Sequence, residues 1–371
     1  MVRIQNAGAR EFTDLIQNKK LYIFGAGKLT ENCIDIYCRN KKVEAVLDNN
    51  EKRWSRKQRF FDQEIPVIGV DTFVKELAGQ SLSDIVLLVV PGFYAAQIIR
   101  QLDSIPQLEG LDCYIHAMIR NTKEAVPEYH FTKGALKIPK KIHYFWVGGN
   151  PVPESLQRCI DSWKKYNPDY EILRWDENNY DFSVNPYMKE AYEQKAWGFV
   201  PDYARLDIIY RYGGIYLDTD VETIQNLDVL LCDEAFFGMG SADRIGIGVG
   251  FGAAAGNELI RELRDYYDNR HFVNADGTKN RVPCYYYQHP IFERYGFRIL
   301  NEYQKIRGAV VYPPEVMSPR GTSGLGDFFS EKTLSIHHGA GTWNNSQEMR
   351  GGQELVALLK QRLPGVLPNR K

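Results

Sequence analysis

The sequence predicts an α/β chain of two domains: a doubly wound domain over residues 1–125 and a second α/β domain over residues 139–371, with a linker over residues 126–138. Three observations carry that expectation. A short apolar strand runs into a Gly-x-Gly turn and a helical pattern near the start, and strand and helix patterns then alternate up to residue 119. A polar stretch with Pro127, Gly134 and Pro139 interrupts the pattern without a period of its own. Beyond it the alternation restarts, and 371 residues exceed what one ordinary core accommodates.

Taken in order, KKLYIFGAGK (residues 19–28) gives the first strand and turn, and ENCIDIYCRN places apolar residues at helical spacing behind it. VEAVLDNN (43–50) and IPVIG (65–69) read as strands, DTFVKELAG as a helix, DIVLLVV (84–90) as a buried strand and LDCYIHAMI (111–119) as the last strand of the domain. In the second domain KIHYFWVGG (141–149) is expected as a strand, and PESLQRCIDSWKKY as a helix with Pro153 at its first helical position. Strand EILRWD (171–176), helix PYMKEAYEQKAW and helix PDYARLDIIYRYG follow, the last ending at Gly213. GIYLDTDVE then reads as one strand. Residues 235–255 are glycine-rich, which suits strands that pair close to a ligand, while residues 270–330 show no clear period. TLSIHH (333–338) reads as a strand, ahead of GAGTWNNS and a final amphipathic helix.

Charge and composition exclude several classes. The 46 basic and 47 acidic residues leave a net charge of -1, so no broad field attracts nucleic acid or an anionic membrane, and any phosphate chemistry must be local. Six cysteines without CxxC spacing argue against a disulfide framework or a zinc site and fit a reducing cytoplasm. The amino terminus lacks an apolar signal core and IVLLVV is far too short to span a bilayer, so a soluble, cytoplasmic protein without a transmembrane segment is expected. An aromatic content of 13%, with 23 tyrosines, suits stacking on sugar C–H faces and nucleobases.

The chemistry centres on LDTD. Residues two apart on a strand point to one face, so Asp218 and Asp220 offer two carboxylates to one divalent cation. A cation there acts as a Lewis acid on the charge of a departing diphosphate. A lone DxD arises by chance about once in a chain of this length. This one stands at the carboxy-terminal end of an apolar strand, behind a helix ending in YGG, where ligands bind in α/β sheets. Asp202 and Arg205, three apart on one helix face, either grip sugar hydroxyls or a phosphate together or form an ordinary surface ion pair. Trp146 is either a packing residue or an indole stacked on a nucleobase, with Val147, Gly148 and Gly149 letting backbone approach its edge. His143 is expected to be structural. His337 and His338 point to opposite faces of their strand, so at most one of them serves as a third metal ligand. Trp343 is placed to close over a diphosphate with its indole N–H.

Three segments in sequence order, IPKKIHYFWVGGNPVPESLQRCIDSWKKYNPDYEILRWDENN, FVPDYARLDIIYRYGGIYLDTDVE and SIHHGAGTW, closely resemble the DXD-containing sugar-binding glycosyltransferases of family 32, over roughly residues 138–345. The family includes bacterial capsular and lipopolysaccharide transferases and yeast enzymes that modify inositolphosphoceramide, and it resembles the large clostridial glucosylating toxins at the same positions. The resemblance implies a GT-A type domain, retention of anomeric configuration, Mn2+ or Mg2+, a nucleotide-sugar donor, with UDP-sugar first, and a saccharide or lipid-linked glycan acceptor at the inner face of a membrane. It implies that Trp146 stacks on the base beside Val147 and Gly148, that Asp202 and Arg205 contact the donor sugar and phosphate, and that Tyr216 lies among the donor-binding residues. Asp218 and Asp220 match the metal pair, Asp220 the more direct ligand; His337 or His338 matches the third metal contact and Trp343 the closing tryptophan. Pro201 replaces the serine or alanine expected before Asp202. The first domain resembles small Rossmann-like modules of polysaccharide enzymes through IFGAGK and VLDNN. Gly25, Gly27 and Asp48 match a nucleotide turn and a ribose-binding acid, but Thr30 stands at the third glycine, so a nucleotide-binding role and a structural or regulatory role both remain open.

Gly25, Gly27 and Asp48 also motivate a rival, an NAD(P)-dependent sugar-nucleotide epimerase or dehydrogenase. Its Tyr-x-x-x-Lys pairs are badly placed: Tyr37/Lys41 follows the glycine turn and Tyr129/Lys133 falls in the expected linker. A scaffold of a polysaccharide-synthesis complex and a toxin-like protein glycosyltransferase are further alternatives. No carboxylate stands out as a covalent nucleophile, which favours front-face displacement over double displacement. Donor identity is expected to depend on residues 240–320.

Overall fold

A computed structural model describes residues 1–54, 56–124, 127–240, 244–321, 325–339 and 346–365. The chain forms two compact units, one of Met1–Ala125, Gly321–Asp327 and Gly341–Lys371, the other of Val126–Arg320 and Phe328–Ala340.

The first unit is built on seven strands: β1 (Arg3–Gln5), β2 (Lys20–Phe24), β3 (Val43–Leu47), β4 (Arg56–Phe60), β5 (Gln63–Ile68), β6 (Ile85–Val89) and β7 (Asp112–Ile115). Their order is β1-β7-β6-β2-β3-β5-β4, parallel throughout except for the β4–β5 hairpin. Period-2 alternation sends Leu21, Ile23, Val86 and Leu88 into one core and Tyr22, Phe24, Leu87 and Val89 into another, so helices must cover both faces. They are α1 (Ala9–Ile16), α2 (Lys28–Tyr37), α3 (Val70–Glu76), α4 (Ala95–Asp103) and α5 (His116–Asn121). The strand expected over residues 111–119 stops at Ile115 and continues as α5. The C-terminal helix, Ser346–Arg362, belongs to this unit rather than to the second domain expected from the sequence. Its Leu355, Leu358 and Leu359 share a core with Ile98, Ile99 and Leu102 of α4, and Arg362 pairs with Asp103 at 2.5 Å.

The second unit contains β8 (Lys141–Phe145), β9 (Glu171–Trp175), β10 (Gly214–Tyr216), β11 (Val221–Thr223), β12 (Ala235–Gly238), β13 (Phe251–Ala253), β14 (Gln304–Ile306), β15 (Ala309–Tyr312) and β16 (Ser335–His337). Seven of them form a mixed sheet, β14-β15-β12-β13-β10-β8-β9, and β11 pairs antiparallel with β16. The helices are α6 (Glu154–Tyr166), α7 (Pro186–Glu193), α8 (Pro201–Tyr212), α9 (Glu258–Asp265), α10 (Cys284–Arg294) and α11 (Pro314–Met317). Ala204 and Ile208 of α8 pack with Tyr216, Phe237 and Phe251, while Ile160 and Trp163 of α6 pack with Ile142, Ile215 and Phe236. The sheet is thus buried on both faces, and the α/β class holds for both units.

Boundaries moved where turn chemistry intervened. β8 ends at Phe145 because Gly148 and Gly149 take φ of +91° and +69°. Pro153 caps α6 instead of occupying its first turn. The stretch expected as a linker supplies Tyr129 and Ile138 to the second unit's core.

Candidate active site

GIYLDTDVE is not one strand. β10 ends at Tyr216, a turn closed by the Val221 N–H donating to the Asp218 carbonyl (3.0 Å) follows, and β11 starts a second sheet. Asp218 and Asp220 therefore converge through a turn, not through strand alternation. Two glycines launch the segment. Gly213 and Gly214 have φ of +61° and +110°, and a Cβ on Gly214 would lie 2.9 Å from both His143 Nε2 and the Lys141 carbonyl. Behind the turn α6 braces β11: Trp163 Nε1 donates to the Val221 carbonyl at 2.7 Å, and the Thr223 N–H donates to Ser162 Oγ at 2.9 Å.

One ligand atom from each of Asp218, Asp220 and His337 lies within 4.8 Å of the other two. His337 Nε2 is 3.4 Å from Asp220 Oδ1. The site is recessed yet reachable: the side chains keep 34% (Asp218), 14% (Asp220) and 26% (His337) of their surface exposed. Two carboxylates and an imidazole form an oxygen-rich donor set that fits Mn2+ or Mg2+. His338 does not join them. Its Nε2 faces Glu222 Oε2 at 2.9 Å and its Nδ1 accepts from Arg320 at 3.2 Å, because the Val221–His337 register turns the next side chain away. The assignment of His338 to the metal is corrected accordingly.

Asp202 and Arg205 are not a surface pair; both are buried, at 3% and 4% exposure. Arg205 Nη2 donates to Asp202 Oδ1 at 2.6 Å, Nη1 reaches Asp218 Oδ1 at 3.5 Å, and the guanidinium lies 5.3 Å from the centre of the Tyr216 ring. Arg205 thereby joins the helix pair to the DXD turn. Among the described residues Asp202 Oδ2 has only a long contact, 3.5 Å, from the Tyr187 hydroxyl. Burial pushes the Asp202 carboxyl up to about 6 against the pull of Arg205. Burial likewise raises Asp218, again opposed by Arg205 and reinforced by Asp220. Burial works against the charge of His337, but its bond and proximity to Asp220 outweigh it and raise its pKa.

Trp146 follows β8 half-buried, its indole N–H donating to the Asn150 carbonyl at 2.6 Å, so only the ring face is left for stacking. Val147 is buried, and the Gly148 N–H donates to Glu177 Oε1 at 2.6 Å. Since β8 and β10 run parallel, Trp146 and Asp218 emerge at the same end of the sheet. His143 is structural: Nδ1 accepts from Trp175 Nε1 at 3.1 Å, Nε2 faces the Gly213 carbonyl at 2.9 Å, and burial lowers its pKa to about 4. Trp343 lies outside the described residues.

In the first unit, the turn singled out for a nucleotide is bonded to itself. Asp48 Oδ2 accepts the Ala26 N–H at 2.8 Å and Oδ1 accepts the Asn50 N–H at 2.8 Å. The expected ribose-binding acid instead closes the loop. Gly25, with φ +113°, lies so close to Pro91 that a Cβ would sit 2.5 Å from its ring; Gly27 caps α2, and buried Thr30 donates to the Gly25 carbonyl.

Two residues at the second unit's site escaped the sequence reading. The Asp218 N–H donates to the Gly248 carbonyl at 3.2 Å, and a Cβ on Gly248 would lie 2.2 Å from Asp218 Oδ2. The run GIGVG signalled close approach but not which glycine made it. Tyr187, touching Asp202 from α7, carried no local signal at all.

Residues 153–237 match the family described as the glycosyltransferase sugar-binding region containing a DXD motif. The matched residues all lie in the second unit. Beyond it, the chain is 33% identical over 170 residues to inositol phosphoceramide mannosyltransferase 3 of Schizosaccharomyces pombe, covering 43% of this chain and 44% of that one. It is 29% identical over 112 residues to subversion of eukaryotic traffic protein A of Legionella pneumophila, covering 23% of this chain and 17% of that one. The chain thus spans less than half the length of these curated relatives. A crystal structure of a glycosyltransferase involved in glycosylating the major capsid of PBCV-1 aligns over 59% of this chain and all of its own, at 12% identity and a TM-score of 0.31. The DXD region holds α6, α8, the acids and Arg205, whereas Trp146 and His337 lie on either side of it.

Proposed function

We propose that the protein is a retaining, divalent-metal-dependent glycosyltransferase that moves a sugar from a nucleoside diphosphate, with UDP-sugar the first choice, to a saccharide or lipid-linked glycan in surface or capsular polysaccharide assembly. The observation that carries this reading is the meeting of Asp218, Asp220 and His337 beside the buried Asp202–Arg205 pair. In this reading Asp218, Asp220 and His337 hold the cation, Asp220 and His337 most directly. A bound Mn2+ or Mg2+ supplies Lewis-acid stabilisation of the charge on the leaving diphosphate. Arg205, fixed by Asp202 and Tyr216, adds a permanent positive charge where that diphosphate departs. Asp202 Oδ2 accepts a hydroxyl of the donor sugar, the Trp146 ring stacks on the base, Val147 and Gly148 border it, and Trp343 closes over the phosphates. The acceptor hydroxyl attacks from the face that the diphosphate leaves.

Among the described residues no helix is long and apolar enough to cross a membrane, and work at the inner membrane face from the cytoplasm is part of the proposal. The first unit is proposed as a structural or regulatory module, because its glycine turn and Asp48 satisfy each other. A second donor reading, mannosyl transfer from a GDP-sugar, is favoured by relatives named as mannosyltransferases.

The test is a donor panel in which Mn2+-dependent release of UDP or GDP is measured with and without saccharide acceptors. Asp220→Ala is expected to abolish release. Full activity in that variant, or release independent of any divalent cation, would overturn the metal assignment.

A further inference from the structure

We propose that Arg270 and the cavity beside it form a second recognition site, one that takes an oxyanion, carboxylate or phosphate, carried by the acceptor glycan. The idea of an acceptor rests on the transferase reading above; the anion site itself does not. Arg270 lies in the loop after α9, with its guanidinium in the corner of two tyrosine rings, 4.1 Å from the centre of Tyr266 and 4.2 Å from that of Tyr287, the two rings being 6.2 Å apart and inclined at 46°. Two ring contacts hold the guanidinium in place without taking its hydrogen-bonding capacity. Among the described residues nothing else takes it. The Arg270 side chain makes no ion pair or hydrogen bond among them, and its Nε is buried without a partner. Neighbouring arginines behave differently: Arg264 reaches Asp265 at 2.7 Å, and Arg294 and Arg307 reach Glu262 at 2.6 and 2.8 Å. A buried charged donor left unmade is unfavourable, and buried polar groups that stay so point to an absent partner.

The guanidinium borders a cavity of about 450 Å³ whose polar lining also includes Asn269, His271, Asn274 and Asn280. No carboxylate lines it. Glu190 on α7 is already taken by His271 Nδ1 at 2.6 Å and by the N–H groups of Phe272 and Val273 at 2.8 and 2.9 Å. Asp276 is taken by the N–H and hydroxyl of Thr278 at 2.9 and 2.6 Å. The walls are pre-formed, because the Asn274 N–H donates to the Thr278 carbonyl at 2.8 Å and the Asn280 N–H to the Phe272 carbonyl at 2.7 Å. The Asn274 amide donates to Thr278 Oγ1 at 2.8 Å and Asn280 bonds the His271 carbonyl and the Tyr287 hydroxyl, so the arginine is the group the cavity offers, and it suits an acidic saccharide better than a neutral one.

A relay of rings connects this cavity to the DXD site. Tyr287 meets Tyr267 edge-on at 5.9 Å, Tyr267 meets Tyr187 at 5.2 Å, and the Tyr187 hydroxyl contacts Asp202. Three tyrosine rings would therefore separate the anion from the carboxylate assigned to the donor sugar.

Calorimetric titration of the full chain with glucuronate, glucose 6-phosphate and glucose at fixed ionic strength tests the proposal. At least one anion is expected to bind tenfold or more tightly than glucose, roughly the effect of one charge-assisted contact, and Arg270→Gln to erase the difference. The stronger anion identifies carboxylate or phosphate. Arg270→Lys, which keeps the charge and loses the fork, is expected to fall between the two and guards against misfolding of the glutamine variant. Equal binding of anions and glucose to the unaltered protein, or unchanged anion binding by Arg270→Gln, overturns the site. Donor hydrolysis is read in parallel and is expected to be unchanged in Arg270→Gln. Hydrolysis without anion binding sinks this site and leaves the transferase reading, whereas anion binding without hydrolysis does the reverse.

Discussion

Gly248→Ala probes the metal turn without replacing a functional side chain. The added methyl would stand 2.2 Å from Asp218 Oδ2 and 3.3 Å from Arg205 Nη1, where ordinary contact begins near 3.4 Å. Relief through the backbone is blocked, since the Asp218 N–H is bonded to the Gly248 carbonyl. The carboxylate must swing by roughly 1 Å, a misplacement that costs about a hundredfold in rate, or roughly 3 kcal/mol of barrier. The fold itself should not suffer. Gly248 has no left-handed φ, and alanine at a compatible position restricts the unfolded chain, favouring the native state by about 0.4–1 kcal/mol. The assay is Mn2+-dependent nucleotide release alongside thermal unfolding, with Gly240→Ala as control, because a Cβ there meets nothing nearer than 3.8 Å. Retained activity in Gly248→Ala would refute the reasoning, as would a loss matched by Gly240→Ala or explained by a fallen unfolding midpoint.

Three further outcomes are expected. His337→Ala should weaken Mn2+ binding, measured by calorimetry, by at least about tenfold, since even outer-shell changes at metal sites cost 10–100-fold; His338→Ala should leave it nearly unchanged. The His143 pKa of about 4 lies below the usual value of 6.5, so the unfolded chain takes up the proton first. The stability this neutral ring contributes is present above pH 6.5 and is lost as the pH falls toward 4, by about 3 kcal/mol at the limit; His143→Gln should flatten that part of the curve of unfolding free energy against pH. Leu359→Ala, at a fully buried position of the C-terminal helix, should cost about 2–5 kcal/mol in denaturant unfolding of the first unit.

What could be read from the sequence follows from range. β6 was legible because a strand buried on both faces is an unbroken apolar run, and α8 because Pro201 opens it and Gly213 closes it. The DXD acids were legible as residues but not as geometry, since the turn that joins them is set by the pairing of β11 with β16 far along the chain. Strand alternation correctly separated His337 from His338, and only the register could say which faced Asp220. Asp202 and Arg205 were visible as a helix pair, but their burial depends on neighbours that no local pattern reveals. The spacing of Asp48 from the glycine turn was visible too; that its oxygens would be claimed by the Ala26 and Asn50 amides was not. The C-terminal helix showed an apolar stripe, and a stripe does not name the core it fits.

The return of that helix to the first unit orders events during synthesis. Residues 126–320 and 328–340 can leave the ribosome and complete the second unit's core while the amino-terminal sheet still waits for Leu355, Leu358 and Leu359. The catalytic unit is, in effect, an insertion within the other unit. Cutting the gene after the last catalytic residue would therefore damage the half of the protein translated first.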